Sequence, residues 1–371
     1  MKILKILSGD DGGGVYTCEK QYIKYWESVG IQVDAIIAGE GKSSNVYKKL
    51  VNNAFIFPEL TVIKNVNLKN KLLNLRERNK YVHKNSSLLT ELQNYDAIIY
   101  RKPRFQALAG CLGKNIGCPV YWHMAISMKS IYQKYYYHYI IKKYNIIPVA
   151  NSEYTKTTIG SVCNHVIYPG YDDSRINLNT DNDLRKDYNI PKQGVVFGVA
   201  ARIDESKAQH LVIRSFIKLL KEYSDIHLII AGELLDTEYE KKCLALAKPY
   251  NENIHFVGYI ENIQKFFSAI NIYVNSRINA EPFGISIAEA LGHGLPVIAY
   301  KLGGPSEMVI ENVNGWLIEK PTHMSYYDTL KKAMNKKEHW IKMGQRAKKH
   351  SNKYRADKNA HKFLDLIESK K

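Results

Sequence analysis

The sequence predicts an α/β protein with two domains, each built on a doubly wound parallel sheet. The chain has 371 residues, which exceeds the usual size of a single hydrophobic core. Short apolar runs alternate with helical patterns through both halves, as is typical of parallel strands covered by helices. Tyr168-Pro-Gly-Tyr-Asp172 and the polar stretch Asp173–Asp183 interrupt this alternation and mark the domain boundary.

Each half opens with a strand, and helices alternate with the strands that follow. The predicted strands of the first half are Lys2–Ser8, Gln32–Ala38, Ala97–Tyr100, Pro119–His123 and Ile146–Ala150, and its first helix is Tyr16–Val29. The predicted strands of the second half are Val195–Ala200, His227–Ala231, His255–Val257, Ile272–Asn275, Pro296–Ala299 and Trp316–Ile318. Its predicted helices are Ala208–Glu222, Glu238–Ala247, Ile263–Phe267, Ile285–His293 and Tyr326–Met334.

The expected domains are residues 1–168 and residues 172–350. The basic tail from His339 to Lys371 is predicted to be helical, and a helix at about 352–371 is expected to pack back on the first domain. No sequence repeat relates the two halves, so their predicted similarity is one of architecture.

Charge and cysteine usage restrict the class of protein. The net charge is +17, of which +12 falls in residues 1–170 and +5 in residues 171–371. The first half is therefore expected to face an anionic partner, either a membrane surface, an acidic acceptor or nucleic acid. Nucleic acid is disfavoured because the chain lacks a Gly/aromatic nucleic-acid motif and a zinc-ligand spacing. Five scattered cysteines predict reduced thiols in a cytoplasmic protein, and no apolar run is long enough to span a bilayer.

Two basic segments of the first half are candidates for peripheral contact with an anionic membrane. The segment Lys129–Tyr144 combines lysines with many tyrosines, a mixture that interfacial helices use, and Lys64–Lys84 is a second basic stretch. An ordinary amphipathic helix with a solvated polar face explains the same composition. The sequence leaves both interpretations open.

The segment Glu281-Pro-Phe-Gly-Ile-Ser-Ile-Ala-Glu289 places two carboxylates at a junction between a loop and a helix. A helix start that contains Gly284 presents unpaired N–H groups and suits a bound anion. Glu289 lies among apolar residues, and a buried carboxylate needs a polar partner such as a ribose diol. A nucleotide sugar has hydroxyl groups that carboxylates can bind and phosphates that a helix start can bind. The segment offers both kinds of group.

Arg202 and Lys207 follow the first strand of the second half. Their spacing allows both to reach one diphosphate, the arginine as a fork and the lysine as a point charge. The competing interpretation is a solvated pair that neutralises Asp204 and Glu205.

Two features of the first half lie where a doubly wound sheet binds ligands. Gly12-Gly13-Gly14 follows the first strand, and glycine there allows a ligand to approach the backbone closely. The alternative is that these glycines only form a tight turn and bind no ligand. His123 ends a predicted strand at the same edge and is a candidate for ligand contact. The alternative is that His123 has a purely structural role. Asp181-Asn182-Asp183 imitates an Asp-x-Asp metal motif, but it follows no strand, so Thr180 or Asp181 is interpreted as a helix cap and no metal is expected.

Together these residues resemble the retaining GT-B glycosyltransferases of family 4, also called group 1. The resemblance rests on Glu-Pro-Phe-Gly with a second glutamate and on the upstream Arg202 and Lys207. Further matching pieces are Gly13-Gly14-Val15, His123, Tyr168-Pro-Gly-Tyr-Asp172, Gly303-Gly304 and Asn314-Gly315. The chain departs from the family where Ala201 and Ala208 replace its usual glycines.

The resemblance implies two Rossmann-like domains facing across a cleft, the first for the acceptor and the second for the nucleotide sugar. Arg202 and Lys207 would hold the diphosphate, and Glu289 would bind the ribose. Glu281 and the backbone of Phe283, Gly284 and Ile285 would hold the donor sugar. His123 would contact that sugar from the first domain, and Gly13 and Gly14 would approach the diphosphate.

The function so implied is retaining, metal-independent transfer of a hexose from a UDP- or GDP-linked donor, with no cofactor. The expected acceptor is a glycan, either lipid-linked or a precursor of a surface polysaccharide, at the inner face of the cytoplasmic membrane. Two alternatives stay open, namely a GT-B sugar-nucleotide epimerase or hydrolase and a non-catalytic partner of membranes or glycans. Retention of every charged site residue argues against the last.

Overall fold

The computed structural model describes residues 1–57, 92, 94–176 and 184–370, and the chain divides into two compact units. The first unit comprises Met1–Gly170 and Ala356–Lys371, and the second comprises Tyr171–Arg355. Each unit contains a parallel sheet with helices, so the predicted fold class is confirmed. The basic stretch Lys64–Lys84 and the Asp181–Asp183 motif lie outside the described residues.

The sheet of the first unit has the order β3-β2-β1-β4-β5-β6-β7. Its strands are β1 Lys2–Ser8, β2 Gln32–Ala38, β3 Ala54–Phe57, β4 Ala97–Tyr100, β5 Val120–His123, β6 Ile146–Ala150 and β7 His165–Val166. The two edge strands β3 and β7 are absent from the sequence-based prediction. They are short, and Ala54–Ile56 of β3 and both residues of β7 are half-buried, whereas β4, which is as short as β3, is fully buried.

The helices of the first unit include one that comes from the end of the chain. They are Gly13–Ser28, Ser44–Leu50, Gln106–Ile116, Ile131–Tyr144, Glu153–Ile159 and Ala356–Glu368. Trp26 of the first helix donates a 2.9 Å hydrogen bond from Nε1 to the carbonyl oxygen of Ala360. Phe363 packs edge-on against Trp26 and Tyr22. This aromatic contact ties the C-terminal helix to the first unit.

The sheet of the second unit has the order β10-β9-β8-β11-β12-β13. Its strands are β8 Val195–Ala200, β9 Ile226–Ala231, β10 Ile254–Gly258, β11 Ile272–Val274, β12 Val297–Tyr300 and β13 Gly315–Ile318. Its helices are Leu184–Asp187, Gln209–Leu219, Glu238–Ala247, Ile263–Ala269, Ile285–Gly292, Pro305–Met308, His323–Met334 and Trp340–Ser351. The predicted Val195–Ala200 and Glu238–Ala247 match these bounds, and the other predicted elements of this half differ by one to three residues at one or both ends.

Both sheets reverse their strand order beside the first strand of the unit. In the first unit the reversal falls between β1 and β4, and in the second between β8 and β11. Ligands of doubly wound sheets bind outside the carboxyl ends of the strands at such a switch point. The fold therefore defines one candidate position for a ligand in each unit.

Each unit has its own apolar core around its sheet. All five cysteines are buried free thiols. Burial raises the pKa of Cys18 to about 11, so this thiol is protonated near neutral pH. Among the described helices, none combines the length and the apolar character that a membrane span needs.

Candidate functional site

The switch point of the second unit gathers the predicted donor residues at one edge of its sheet. Arg202 follows β8, Arg277 follows β11, and Gly303 and Gly304 follow β12. Because parallel strands end at the same edge, the loops after these strands lie side by side. The candidate site is built on this edge.

Glu281 is the centre of a charged cluster at this edge. Its Oε2 lies 2.8 Å from Nη1 of Arg277 and 3.5 Å from Nζ of Lys207. The side chains of Glu281, Arg277 and Lys207 are 18%, 24% and 21% exposed, so they are shielded but reachable. Two cations around one carboxylate leave a positive charge, which favours an anionic ligand.

Arg202 lies apart from this cluster and near solvent. Its Nη2 is 3.3 Å from Oδ2 of Asp204, and its side chain is 68% exposed. Asp204 also accepts a 2.9 Å hydrogen bond from the backbone N–H of Ser206. The structure thus brings Lys207 to Glu281 and leaves Arg202 with Asp204, so the two basic residues have different partners.

The helix Ile285–Gly292 begins with an open N-terminus. Gly284 precedes it with φ at +105°, a left-handed conformation that favours glycine. No side chain caps this end, and the first turn contains no acidic residue. The first backbone N–H groups of a helix have no partners within it, so this end suits a bound anion.

Close backbone contacts hold the turn between Glu281 and Gly284 in place. The N–H of Gly304 donates a 2.8 Å hydrogen bond to the carbonyl oxygen of Glu281. A side chain at Gly303 would collide with the backbone of Glu281, and one at Gly304 with that of Phe283. Phe283 is 3% exposed and packs edge-on against Tyr354. Gly303 and Gly304 therefore serve packing of the turn that carries Glu281.

Glu289 lies within the same helix and is half-buried. Burial raises the pKa of Tyr273, and the charges of Glu289 and Glu281 add to this increase. The hydroxyl of Tyr273 donates a 2.9 Å hydrogen bond to Oγ of Ser286 in the first turn of the helix. The negative charges of both glutamates therefore reach one buried tyrosine, which contacts the first turn of the helix.

The switch point of the first unit carries the glycines and a second charged cluster. Gly13 is exposed with φ at +55°, and the helix Gly13–Ser28 starts there without a side-chain cap. Asp11 Oδ1 lies 2.6 Å from Nζ of Lys102, and Asp10 Oδ1 lies 2.8 Å from Nη2 of Arg104. Burial opposes ionisation of Asp10, but hydrogen bonds from Ser8 and Arg104 hold its pKa below the usual range. Asp10 is thus a hydrogen-bond acceptor near neutral pH.

His123 ends β5, as predicted, but its ring is only 1% exposed. Its Nε2 lies 2.8 Å from the carbonyl oxygen of Ile167, and because a carbonyl only accepts, Nε2 carries the proton. The ring packs against Tyr22 and Phe363. Burial lowers the pKa of His123, so the ring is neutral. Its contact with a donor sugar stays a prediction.

Sequence reasoning missed Arg277, Lys102 and Arg104. Each directly follows a strand, namely β11 or β4, that neighbours the first strand of its unit. Position after a strand is a signal that the sequence contains, but only the folded sheet shows which strands neighbour the first one. Within the described ranges, no group of three or more His, Cys, Asp or Glu side chains is arranged to hold a metal ion.

Residues 180–350 match the family model described as "Glycosyl transferases group 1". The putative glycosyltransferase YtcC of Bacillus subtilis is 31% identical over 176 residues, which cover 45% of this chain and 42% of that protein. The O-antigen biosynthesis glycosyltransferase WclY of Escherichia coli is 29% identical over 134 residues, or 36% of each chain. The chain thus spans less than half the length of these curated relatives.

The crystal structure of Anabaena Alr3699/HepE in complex with UDP and glucose has the same fold. It superposes with a TM-score of 0.79 at 19% identity, and the match covers 100% of both chains. The chain thus has the two-domain Rossmann-like fold of the GT-B type, and its residues 180–350 are similar to the group 1 glycosyltransferases. The matched region lies almost wholly within the second unit and contains the Lys207–Arg277–Glu281 cluster.

Proposed function

We propose that the chain transfers a hexose from a nucleotide-sugar donor to a glycan acceptor, with the donor bound at the switch point of the second unit. The observation that carries this proposal is the placement of Glu281, between two cations and beside an open helix N-terminus. A carboxylate suits sugar hydroxyls, whereas cations and helix N–H groups suit phosphates. The group 1 family match over this segment supports the same assignment.

Each group at the site has a role in this proposal. Arg202 and Lys207 bind the diphosphate, and the backbone N–H groups at Gly284 and Ile285 add to its stabilisation. Glu281 accepts hydrogen bonds from the donor sugar, with the backbone of Phe283 beside it, and Glu289 accepts them from the ribose. The Anabaena structure, which is a complex with UDP and glucose, supports a UDP-linked donor. A GDP-linked donor is the alternative.

The chemical step is retaining transfer without a metal ion. The bond between the anomeric carbon and the leaving phosphate oxygen breaks, and the acceptor oxygen attacks the same face. The proton of the acceptor hydroxyl passes to the leaving phosphate oxygen. Arg202, Lys207 and the helix start stabilise the charge that grows on the diphosphate.

The configuration of the product tests retention directly. Incubation with α-linked UDP-sugars and GDP-sugars and a membrane extract as acceptor source is expected to give an α-linked product by NMR or by digestion with anomer-specific glycosidases. A β-linked product would contradict retention but not transfer. Turnover of the donor without any acceptor would instead favour a hydrolase or an epimerase.

We further propose that the acceptor is anionic or lipid-linked and is reached at the inner face of the cytoplasmic membrane. The O-antigen relative from Escherichia coli supports a surface-polysaccharide precursor. Residues 97–152 of the first unit contain eight Lys and Arg and no Asp or Glu. That local excess of positive charge favours an anionic surface as the partner of this unit.

The helix Ile131–Tyr144 is the proposed membrane-docking element. Tyr132, Tyr135 and Tyr139 are 83%, 66% and 57% exposed, and a spacing of three and four residues places them on one face. Lys142 and Lys143 follow on the same side and are exposed. The helix buries Tyr137 and Tyr144, but it presents three other tyrosines to solvent beside lysines, as interfacial helices do.

Neutralising the lysines of this helix is expected to weaken membrane binding. Each lysine near an anionic surface contributes about 1 kcal/mol. Replacement by Gln of Lys129, just before the helix, and of Lys142 and Lys143 within it should therefore together lower partition into phosphatidylglycerol vesicles roughly 100-fold. Co-sedimentation measures this partition, and vesicles of phosphatidylcholine alone are expected to bind weakly. Tyr132, Tyr135 and Tyr139→Ser should act in the same direction.

The matched control is Tyr259→Ser, which removes a 75% exposed tyrosine from the second unit. This variant is expected to bind vesicles like the unchanged chain. Equal binding by the lysine variant, the tyrosine variant and the control would contradict docking through this helix.

A further inference from the structure

Arg277 contacts Glu281, and no role follows for it from the proposed function alone. The distance of 2.8 Å between Nη1 and Oε2 is that of a charge-assisted hydrogen bond, whereas the contact from Lys207 to the same oxygen is longer at 3.5 Å. In the described part of the chain, both contacts of the Glu281 carboxylate go to Oε2. Oε1 is therefore the oxygen left for a ligand.

The loop that carries Arg277 is anchored to the sheet. The backbone N–H of Asn275 donates a 2.8 Å hydrogen bond to the carbonyl oxygen of Ile298 on β12, and Oδ1 of Asn275 accepts one from the N–H of Arg277. The hydroxyl of Tyr326 donates to the carbonyl of Asn275 at 3.1 Å. Arg277 thus starts from a fixed backbone, and it can hold a partner at a defined position.

Arg277 also has an unpaired hydrogen-bond donor. Its Nε is buried and has no hydrogen-bond partner among the described residues, and the same holds for Oγ of the neighbouring Ser276. Buried polar groups of this kind are normally paired in the working state of a protein. Two such groups on neighbouring residues, one of which contacts Glu281, favour a polar ligand at this loop.

We propose that Arg277 is the positioning residue that aims Glu281 at the donor sugar, an inference that rests on the proposed function. The donor diphosphate attracts Lys207, whose contact with Glu281 is the longer one. Arg277 then remains as the charged partner of Glu281 and keeps Oε2 fixed while Oε1 accepts a hydrogen bond from a sugar hydroxyl. Lys207 therefore serves the diphosphate, and Arg277 serves the sugar.

This division predicts different binding profiles for two variants. Arg277→Gln should bind UDP or GDP like the unchanged chain but should lose roughly 10- to 100-fold in affinity and turnover with the corresponding nucleotide sugar. Lys207→Gln should weaken both ligands. Arg277→Lys should recover part of the loss, because it keeps a charge but not the fork of the guanidinium. Calorimetric titration of each variant with nucleotide and nucleotide sugar measures the profiles.

Lys332→Gln is the matched control, since Lys332 forms a 2.6 Å ion pair with Glu311 in the same unit and neither is a predicted site residue. A purely structural role for Arg277 would lower affinity for nucleotide and nucleotide sugar alike, and an unchanged nucleotide-sugar affinity would show no role at all. Either result overturns the inference while the proposed function stands. Failure of the unchanged chain to bind any nucleotide would overturn the proposed function and this inference with it.

Discussion

Glu281→Ala is expected to abolish measurable transfer while leaving the fold intact. The carboxylate is the only group of the Lys207–Arg277–Glu281 cluster that accepts hydrogen bonds from sugar hydroxyls. Its removal also leaves both cations without their partner, which disturbs the positions of the groups around the diphosphate. Loss of one fixed electrostatic contact typically costs about 10²- to 10³-fold in kcat, and here the geometry of two further residues depends on it.

Glu281→Gln separates the loss of the hydrogen-bond acceptor from the loss of the negative charge. Glutamine keeps the size and a hydrogen-bonding oxygen but removes the charge, so turnover should fall less than in the alanine variant. Transfer is measured with saturating donor, and circular dichroism verifies the fold. Glu319→Ala is the matched control, because Glu319 is 71% exposed and pairs only with Lys301 on the surface of the same unit. Turnover like that of the unchanged chain in Glu281→Ala would contradict the assigned role.

Arg202→Ala is expected to lower kcat by about 100-fold with a smaller effect on donor affinity. Its side chain is 68% exposed and pairs, among the described residues, with Asp204, so its removal creates no buried unpaired charge. Negative charge on the diphosphate grows as the anomeric bond breaks, and an interaction that strengthens in the transition state acts on kcat. Single-turnover kinetics at varied donor concentration separate the two parameters.

Arg214→Ala is the control for this experiment, since Arg214 is an exposed arginine on the helix Gln209–Leu219 of the same unit. It is expected to leave both parameters unchanged. If Arg202→Ala raises the donor dissociation constant and leaves kcat unchanged, Arg202 stabilises the bound donor and the transition state equally. The charge-stabilising role would then be wrong.

The sequence allowed prediction of the architecture because buried parallel strands are long apolar runs. The strands Lys2–Ser8, Gln32–Ala38 and Val195–Ala200 are predicted with their exact ends. The edge strands Ala54–Phe57 and His165–Val166 escape prediction, because a strand of two to four residues with partly exposed side chains has no distinct pattern. Helix ends shifted by up to three residues because capping depends on local geometry.

The site was only partly predictable, for a different reason. Motif spacing identifies Glu281 and Lys207 as candidates, but the partner of each charge is a property of the folded sheet edge. Arg277 enters the site because β11 lies next to β8, which the order of residues along the chain does not reveal. Likewise, the separate positions of Arg202 and Lys207 depend on the turn Glu205–Lys207 and on Ala208, whose φ of +50° is rare for alanine.

The most direct measurement is the thermal unfolding of the full chain with UDP, GDP, ADP and CMP and their common sugar conjugates, first in EDTA and then with magnesium. A ligand that binds the folded state raises the unfolding temperature by mass action. The account predicts stabilisation by one nucleotide and its sugar conjugate, unchanged by EDTA and lost in Lys207→Gln. No stabilisation by any member of the panel would contradict a nucleotide-sugar site at Glu281.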